Sequence, residues 1–565
     1  MMEIIKGSLT VTLLMRVAEA LGRGWEYSRL RKLALALALC FRESCTGRLL
    51  TRYINKEPYF RHSMTYRIVM AVFGLFDRLF GWIHDFCAGH FGFIRAAWRG
   101  WTGAWRNSLI YRGFTGQGAL GTSFCGSSLS RAAGWTVSRK YDLAVFVLAA
   151  FGIVDTVMRK LNGTLGSVWD ELFLIVMILL CGFKWIADRR DYRLKVSPMD
   201  TPIIVFISVM IFCLLVNSPD FGVSLEGFRA IVQYMLWYFV VIQLVKGEDS
   251  AKAITAFFVV IVALLAVYGV YQYAVGVEMP AGWTDHNEAS VRTRVYAIFT
   301  SPNVFGSLLT LAAPMTVSMM FVSKTKKAKA AYCLMLLFIL ASLAFTFSRG
   351  AWLGFIAAVG IYVLIKDKRL IIPCIIAGLL VLVLVPGVGS RISYMLSPEY
   401  IASSLRGGRL VRWITGLKVL AEYPVLGCGL GHFGGAVAMN NNIKFIIDNQ
   451  VTEAFYMDNY MLKTAVESGI VGFTAFMGLM YSVFIHGLRT VRSAATDVSK
   501  ELSTGILAGL CGVIVHNLVE NIFEVPMMTS LFWTFTAVLM GIWFYGSAAE
   551  EGTGKKDQSS DSERA

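Results

Sequence analysis

SSLRGGRLVRWITGLKVLAEYPVLGCGLGHFGG, residues 403–435, leads through an Asn-rich tract to FYMDNYMLKTAVESGI, residues 455–470. Apolar runs flank this stretch on both sides. The segment from about Gly387 to Gly469 is therefore the one long polar excursion in a greasy chain. Roughly seventy residues between two spans are too many for a structureless connector, so the segment is expected to fold and to carry function. It is expected to cap a site on the non-cytoplasmic face of a membrane.

Outward from that loop, 56% of the 565 residues are apolar or aromatic and only 16% are charged, which leaves a polytopic membrane protein as the class. About twelve spans are expected, near 142–158, 167–187, 200–218, 226–245, 252–275, 303–322, 329–347, 350–365, 369–386, 461–486, 502–519 and 526–545. The first is weak because it holds Asp155. Basic clusters such as Arg189–Lys195, Lys324–Lys329, Lys366–Arg369 and Arg489–Lys500 then fall on one side. The exception is Arg159–Lys160. By the positive-inside rule that side is cytoplasmic, and loops 276–302, 348–349, 387–460 and 519–525 meet on the other.

The net charge of +16 is uneven: residues 1–140 hold 20 Lys and Arg against 7 Asp and Glu, or +13. Arginines interleave there with Trp and Phe, as in FIRAAWRGWTGAWRNSLIYRGF, which suits segments lying in a membrane interface or a basic disordered tail. Anionic lipid, rather than nucleic acid, is the expected partner of this charge. Gly113–Gly134 reads as a linker, and the polar tail 549–565 is expected to be disordered. Leu9–Met15 lacks the form of a signal peptide. Ten cysteines without a CxxC pair and seven scattered histidines support neither a disulfide framework nor a metal site, and no cofactor is expected.

The residues with chemistry gather on the loop side. Ser348-Arg349-Gly350 sits at a tight turn between two spans, where an arginine either grips an anion or snorkels to headgroups. Arg406, Arg409 and Arg412 recur every three residues beside Trp413, which predicts one basic ridge on a helix from about Arg409 to Glu422, stopped by Pro424. GCGLGHFGG is expected to be a bend that returns the chain to the membrane rather than a phosphate cradle, with His432 structural. Asp458, before span ten, is either a helix cap or a general base, with Glu467 nine residues beyond. His516, Glu520 and Glu524 recur every four residues, which predicts one helix face lining the same cavity or bonding neighbouring helices. Arg292 and Arg294, ahead of FTSPN, add two cations.

The ordered set of the SRG turn at 348–350, GGR…W at 407–413, Pro-x-x-Gly-x-Gly at 424–429 and DNYMLKTAVESGIVG at 458–472 resembles the O-antigen ligase and polysaccharide polymerase (Wzy-C-like) membrane proteins. RVYAIFTSPN at 294–303 resembles the earlier loop of that family. The resemblance covers roughly residues 142–545, leaving residues 1–140 outside it. It implies an all-α, GT-C-like polytopic glycosyltransferase of the bacterial cytoplasmic membrane. Its donor would be an undecaprenyl-diphosphate-linked glycan, its acceptor a glycan or other molecule outside, with no metal needed. Arg349 and Arg409 match the arginines thought to hold the donor diphosphate, with Arg412 and Arg294 beside them as further candidates. Where the ligases carry His-Asn, this chain has Asp458-Asn459, so Asp458 or else His516 is the expected base, and a polymerase is favoured. A transporter or flippase of lipid-linked saccharides is the alternative, but it predicts a repeat between halves that this chain lacks. A membrane scaffold recruiting partners through its basic N-terminal region is a third reading; it predicts that Arg349 and Arg409 are dispensable.

Overall fold

The computed structural model describes residues 140–187, 195–278, 293–367, 371–384 and 386–562 apart from 396, 407, 448, 449 and 454, with six isolated positions between Arg67 and Trp82. The expectations for the N-terminal extension, the Gly113–Gly134 linker and Arg292 lie outside the described residues.

The chain is helical throughout the membrane domain. It runs α1 (Lys140–Ala149), α2 (Phe151–Leu161), α3 (Gly163–Ala187), α4 (Asp200–Val216), α5 (Phe221–Val232) and, after one 3-10 turn, α6 (Leu236–Leu244). Next come α7 (Glu248–Val275), α8 (Pro302–Val322), α9 (Lys326–Phe345), α10 (Arg349–Lys366) and α11 (Ile371–Leu384). The large loop holds α12 (Pro386–Met395), α13 (Pro398–Leu405), α14 (Arg409–Glu422), α15 (Ala436–Asn440) and an antiparallel hairpin, β1 (Lys444–Ile447) and β2 (Gln450–Glu453). The last helices are α16 (Tyr460–Arg492), α17 (Asp497–His516) and α18 (Pro526–Ser562).

Nine helices among the described residues are long and apolar enough to cross a membrane, one of them α5 and α6 taken together. They match nine of the twelve expected spans. Of the other three, 200–218 is the shorter apolar helix α4, 142–158 is split between α1 and α2 at Ala150, and 369–386 is the 14-residue α11. Helix α18 runs to Ser562.

Helix α8 is the hub, buried on nearly every face. Ser301 caps it by accepting the Asn303 N–H, and Pro302 takes the first turn, where a missing N–H costs nothing. Small residues let α8, α10 and α17 touch backbone to backbone: a Cβ at Gly509 would meet the Leu311 carbonyl, and one at Gly512 the Gly354 carbonyl. This close contact brings the loop-side ends of three spans together.

Helix α16 is two helices joined at Gly469, whose φ of 62° and ψ of −167° only glycine adopts readily. The glycine-rich run fills the break. Ile470 N–H donates to the Pro424 carbonyl at 2.9 Å, and Cys428 N–H donates to the Val466 carbonyl at 2.9 Å. Asn217 Nδ2 donates to the Leu426 and Gly427 carbonyls at 3.0 and 2.8 Å, tying the same run to the end of α4. Backbone groups freed by the break are thus paired, as low-dielectric surroundings require. The bend read from GCGLGHFGG is this plug.

Candidate active site

The loop-side ends of α8 and α17 meet the first turn of α14 in a connected set of polar side chains. Arg409 donates through Nη2 to Glu520 Oε1, and its Nε lies 3.9 Å from Asp458 Oδ2. Arg412, one turn later on α14, donates to the same Asp458 oxygen at 2.9 Å and to the Tyr456 carbonyl at 3.2 Å. Asn303, in the first turn of α8, donates to Glu520 Oε1 and accepts from Arg294 Nη2 at 3.0 Å. Arg294 also donates to the Thr346 carbonyl at 2.9 Å, fixing it to the turn before Ser348. A line runs Arg294, Asn303, Glu520, Arg409, Asp458, Arg412.

Local structure explains each position. Asn459, not Asp458, caps α16 by accepting the Leu462 N–H at 2.9 Å, which leaves the Asp458 carboxylate for the arginines. Arg406 does not join Arg409 and Arg412 on one ridge, contrary to expectation. Helix α13 ends at Leu405 and α14 starts anew after Gly408, so the two-glycine joint turns the exposed Arg406 away. The spacing of four at His516, Glu520 and Glu524 is likewise no helix face. Helix α17 stops at His516, and a turn carries Glu520 to Arg409. A 3-10 turn then brings Glu524 to the Ala436 N–H at 2.6 Å.

The remaining candidates separate. Ser348 caps α10, and Arg349 follows with its guanidinium 4.8 Å from the centre of the Tyr400 ring. Tyr400 also lies near enough to act on Arg409. His516 is fully buried against Gly350, where a Cβ would come within 2.8 Å of its ring, and neither ring nitrogen has a hydrogen-bond partner among the described residues. His432 Nδ1 bonds the Leu430 carbonyl at 2.9 Å. Glu467 pairs with Lys463 at 2.9 Å inside α16 and takes no part in the arginine line.

Sequence reasoning gave no role to Asn303, Tyr400 or the buried Arg391, whose Nη1 donates to the Phe347 carbonyl at 2.5 Å. The Asn after Ser-Pro at 301–303 was the legible signal, a polar group inside the first turn of a helix that is otherwise wholly buried.

Electrostatics follow from burial. Burial pushes the Glu520 carboxyl up to about 7, with Arg409 pulling the other way. Burial works against the Arg409 charge, but Glu520 and Asp458 outweigh it and hold the guanidinium above the usual arginine range.

Two arginines one turn apart on one helix face, opposed by two carboxylates, can trade those carboxylates for phosphate oxygens. Residues 306–477 match the O-antigen ligase family model, Wzy_C. The resemblance read from the sequence is borne out over this stretch. The O-antigen ligase match starts in α8, ends in α16, and contains Arg349, Arg409, Arg412 and Asp458. Arg294, Asn303, His516 and Glu520 lie outside it and reach it only through the fold. No curated protein matches the chain. The match and the apolar helices support a multi-pass membrane enzyme that handles glycans.

Proposed function

We propose that the protein transfers a glycan from an undecaprenyl-diphosphate carrier to an acceptor hydroxyl on the outer face of a bacterial cytoplasmic membrane. The observation that carries this reading is the pairing of Arg409 and Arg412 with Asp458 and Glu520 at the loop-side ends of the spans. Arg409 and Arg412, with Arg349 and Arg294 flanking, hold the donor diphosphate. Guanidiniums fixed in a partly dry site stabilise the charge that develops on the leaving diphosphate.

Glu520 takes the proton. Its Oε1 accepts from both Asn303 and Arg409. A carboxyl titrating near 7 is suited to accept a proton at neutral pH. The acceptor oxygen gives its proton to the Glu520 carboxylate and bonds to the anomeric carbon. The bond from that carbon to the diphosphate oxygen breaks, and undecaprenyl diphosphate leaves. A single displacement inverts the anomeric centre. Asp458 orients the two arginines, and His516 packs the SRG turn against α17.

The test uses the full-length protein in liposomes with an undecaprenyl-diphosphate oligosaccharide. Glycan lengthening with release of undecaprenyl diphosphate supports polymerisation, and release only with added acceptor supports ligation. No release under either condition overturns the reading.

A further inference from the structure

Helix α14 carries Arg409 and Arg412, and its height relative to the bilayer follows from chain lengths. Helix α17 has 20 residues and rises about 30 Å, the thickness of a hydrocarbon core. It starts just after α16 ends, across a turn at 493–496. Counting back the same rise along α16 reaches Phe473, so Ile470, one turn further, stands just beyond the level of His516. Tyr460 N–H donates to the Asn517 carbonyl at 3.1 Å, which puts the start of α16 at that level too. The nine residues before Gly469 therefore run across the membrane face rather than along its normal.

Helix α14 lies beside them in register. Arg412 meets Asp458, Gly416 meets Leu462, and Pro424 meets Ile470. Both ends of α14 are thus pinned at the membrane boundary. Its inner side packs Gly416 and Val419 on Leu462, Phe433 and Val466. Its other side is a largely apolar stripe, with Ile414 44% and Leu417 56% exposed and Ala421 exposed one turn on. The exposed Lys418 stands beside them, a long chain that can lay its stem on the apolar surface and carry its charge to the headgroups. The stripe passes through Val425, 58% exposed, to Ile470, 57% exposed, where the open face of α16 begins and continues through Met477 and Tyr481. A helix of this form, lying at the boundary and continuous with a span's lipid face, is an interfacial helix.

We infer that α14 is seated in the loop-side leaflet, with Ile414, Leu417 and Ala421 among the acyl chains. If the proposed reaction holds, this seat sets Arg409 and Arg412 at headgroup depth, where a lipid-linked diphosphate emerges.

The experiment places the photo-cross-linker p-benzoylphenylalanine at Leu417 in the full chain, in membranes carrying 32P-labelled phospholipid. A second sample carries it at Lys444, exposed on the hairpin. The expected result is phospholipid label on the protein after irradiation, several-fold stronger from position 417 than from 444. Label no stronger at 417, or cross-linking of 417 to a second copy or to another segment of the chain, overturns the inference. The readout needs no donor or acceptor, so it stands or fails separately from glycan transfer.

Discussion

At the residue scale the site turns on Glu520, which a motif reading undervalues because its meaning depends on what it touches. Substituting Glu520→Gln keeps the shape of the side chain but removes the carboxylate proposed as the base. We expect a fall in kcat of about 10²–10⁴-fold, the usual contribution of a positioned proton acceptor. The pH profile gives the sign. Glu520 must be ionised to accept a proton, and burial raises its carboxyl to about 7. The wild-type rate should therefore fall as pH drops below about 7, and that limb should vanish in E520Q. A limb that persists would move the base to Asp458. Arg409→Ala should lower kcat about 10²–10³-fold, the scale for one lost donor to developing charge. Arg409→Lys should restore little, because Arg409 reaches two carboxylates through two nitrogens of one planar fork. Full activity in either Arg409 variant would sink the diphosphate role.

At the scale of elements, the break in α16 joins the loop to the membrane domain. Gly469→Ala forces an L-residue into a region reserved for glycine and drives its Cβ into the Val425 carbonyl. The backbone strain alone costs roughly 1–3 kcal/mol. A lower thermal unfolding midpoint in detergent should show it, with activity falling in step as the plug holding α14 loosens. An unchanged midpoint would mean that the break is not held by the Pro424–Gly429 run. Much of this was legible: the helix over 409–422, its stop at Pro424, and a bend in the glycine run follow from local chemistry. The basic ridge through Arg406 was misread because periodicity of three was carried across Gly407-Gly408, where the helix restarts.

At the scale of the whole molecule, the proposed function puts the large loop outside, as the alternation of apolar runs and basic loops in the sequence predicts. Lys444→Cys should then react with a membrane-impermeant maleimide in intact cells, and Lys326→Cys only after permeabilisation. The reverse pattern would put the arginine line in the cytoplasm and end the outer-face proposal. The class of protein was set by the sequence alone, since apolar runs of spanning length leave no other home for their backbone than helices in lipid. So was the stretch matching the O-antigen ligases, because its glycines, arginines and caps act locally. Which residues share the site was decided only by tertiary structure. Asn303 and Glu520 are 217 positions apart, and they meet because small residues let α8 and α17 pack in contact. Charge pairing across such a distance leaves no period or spacing in the chain, so no pattern along the sequence could show it.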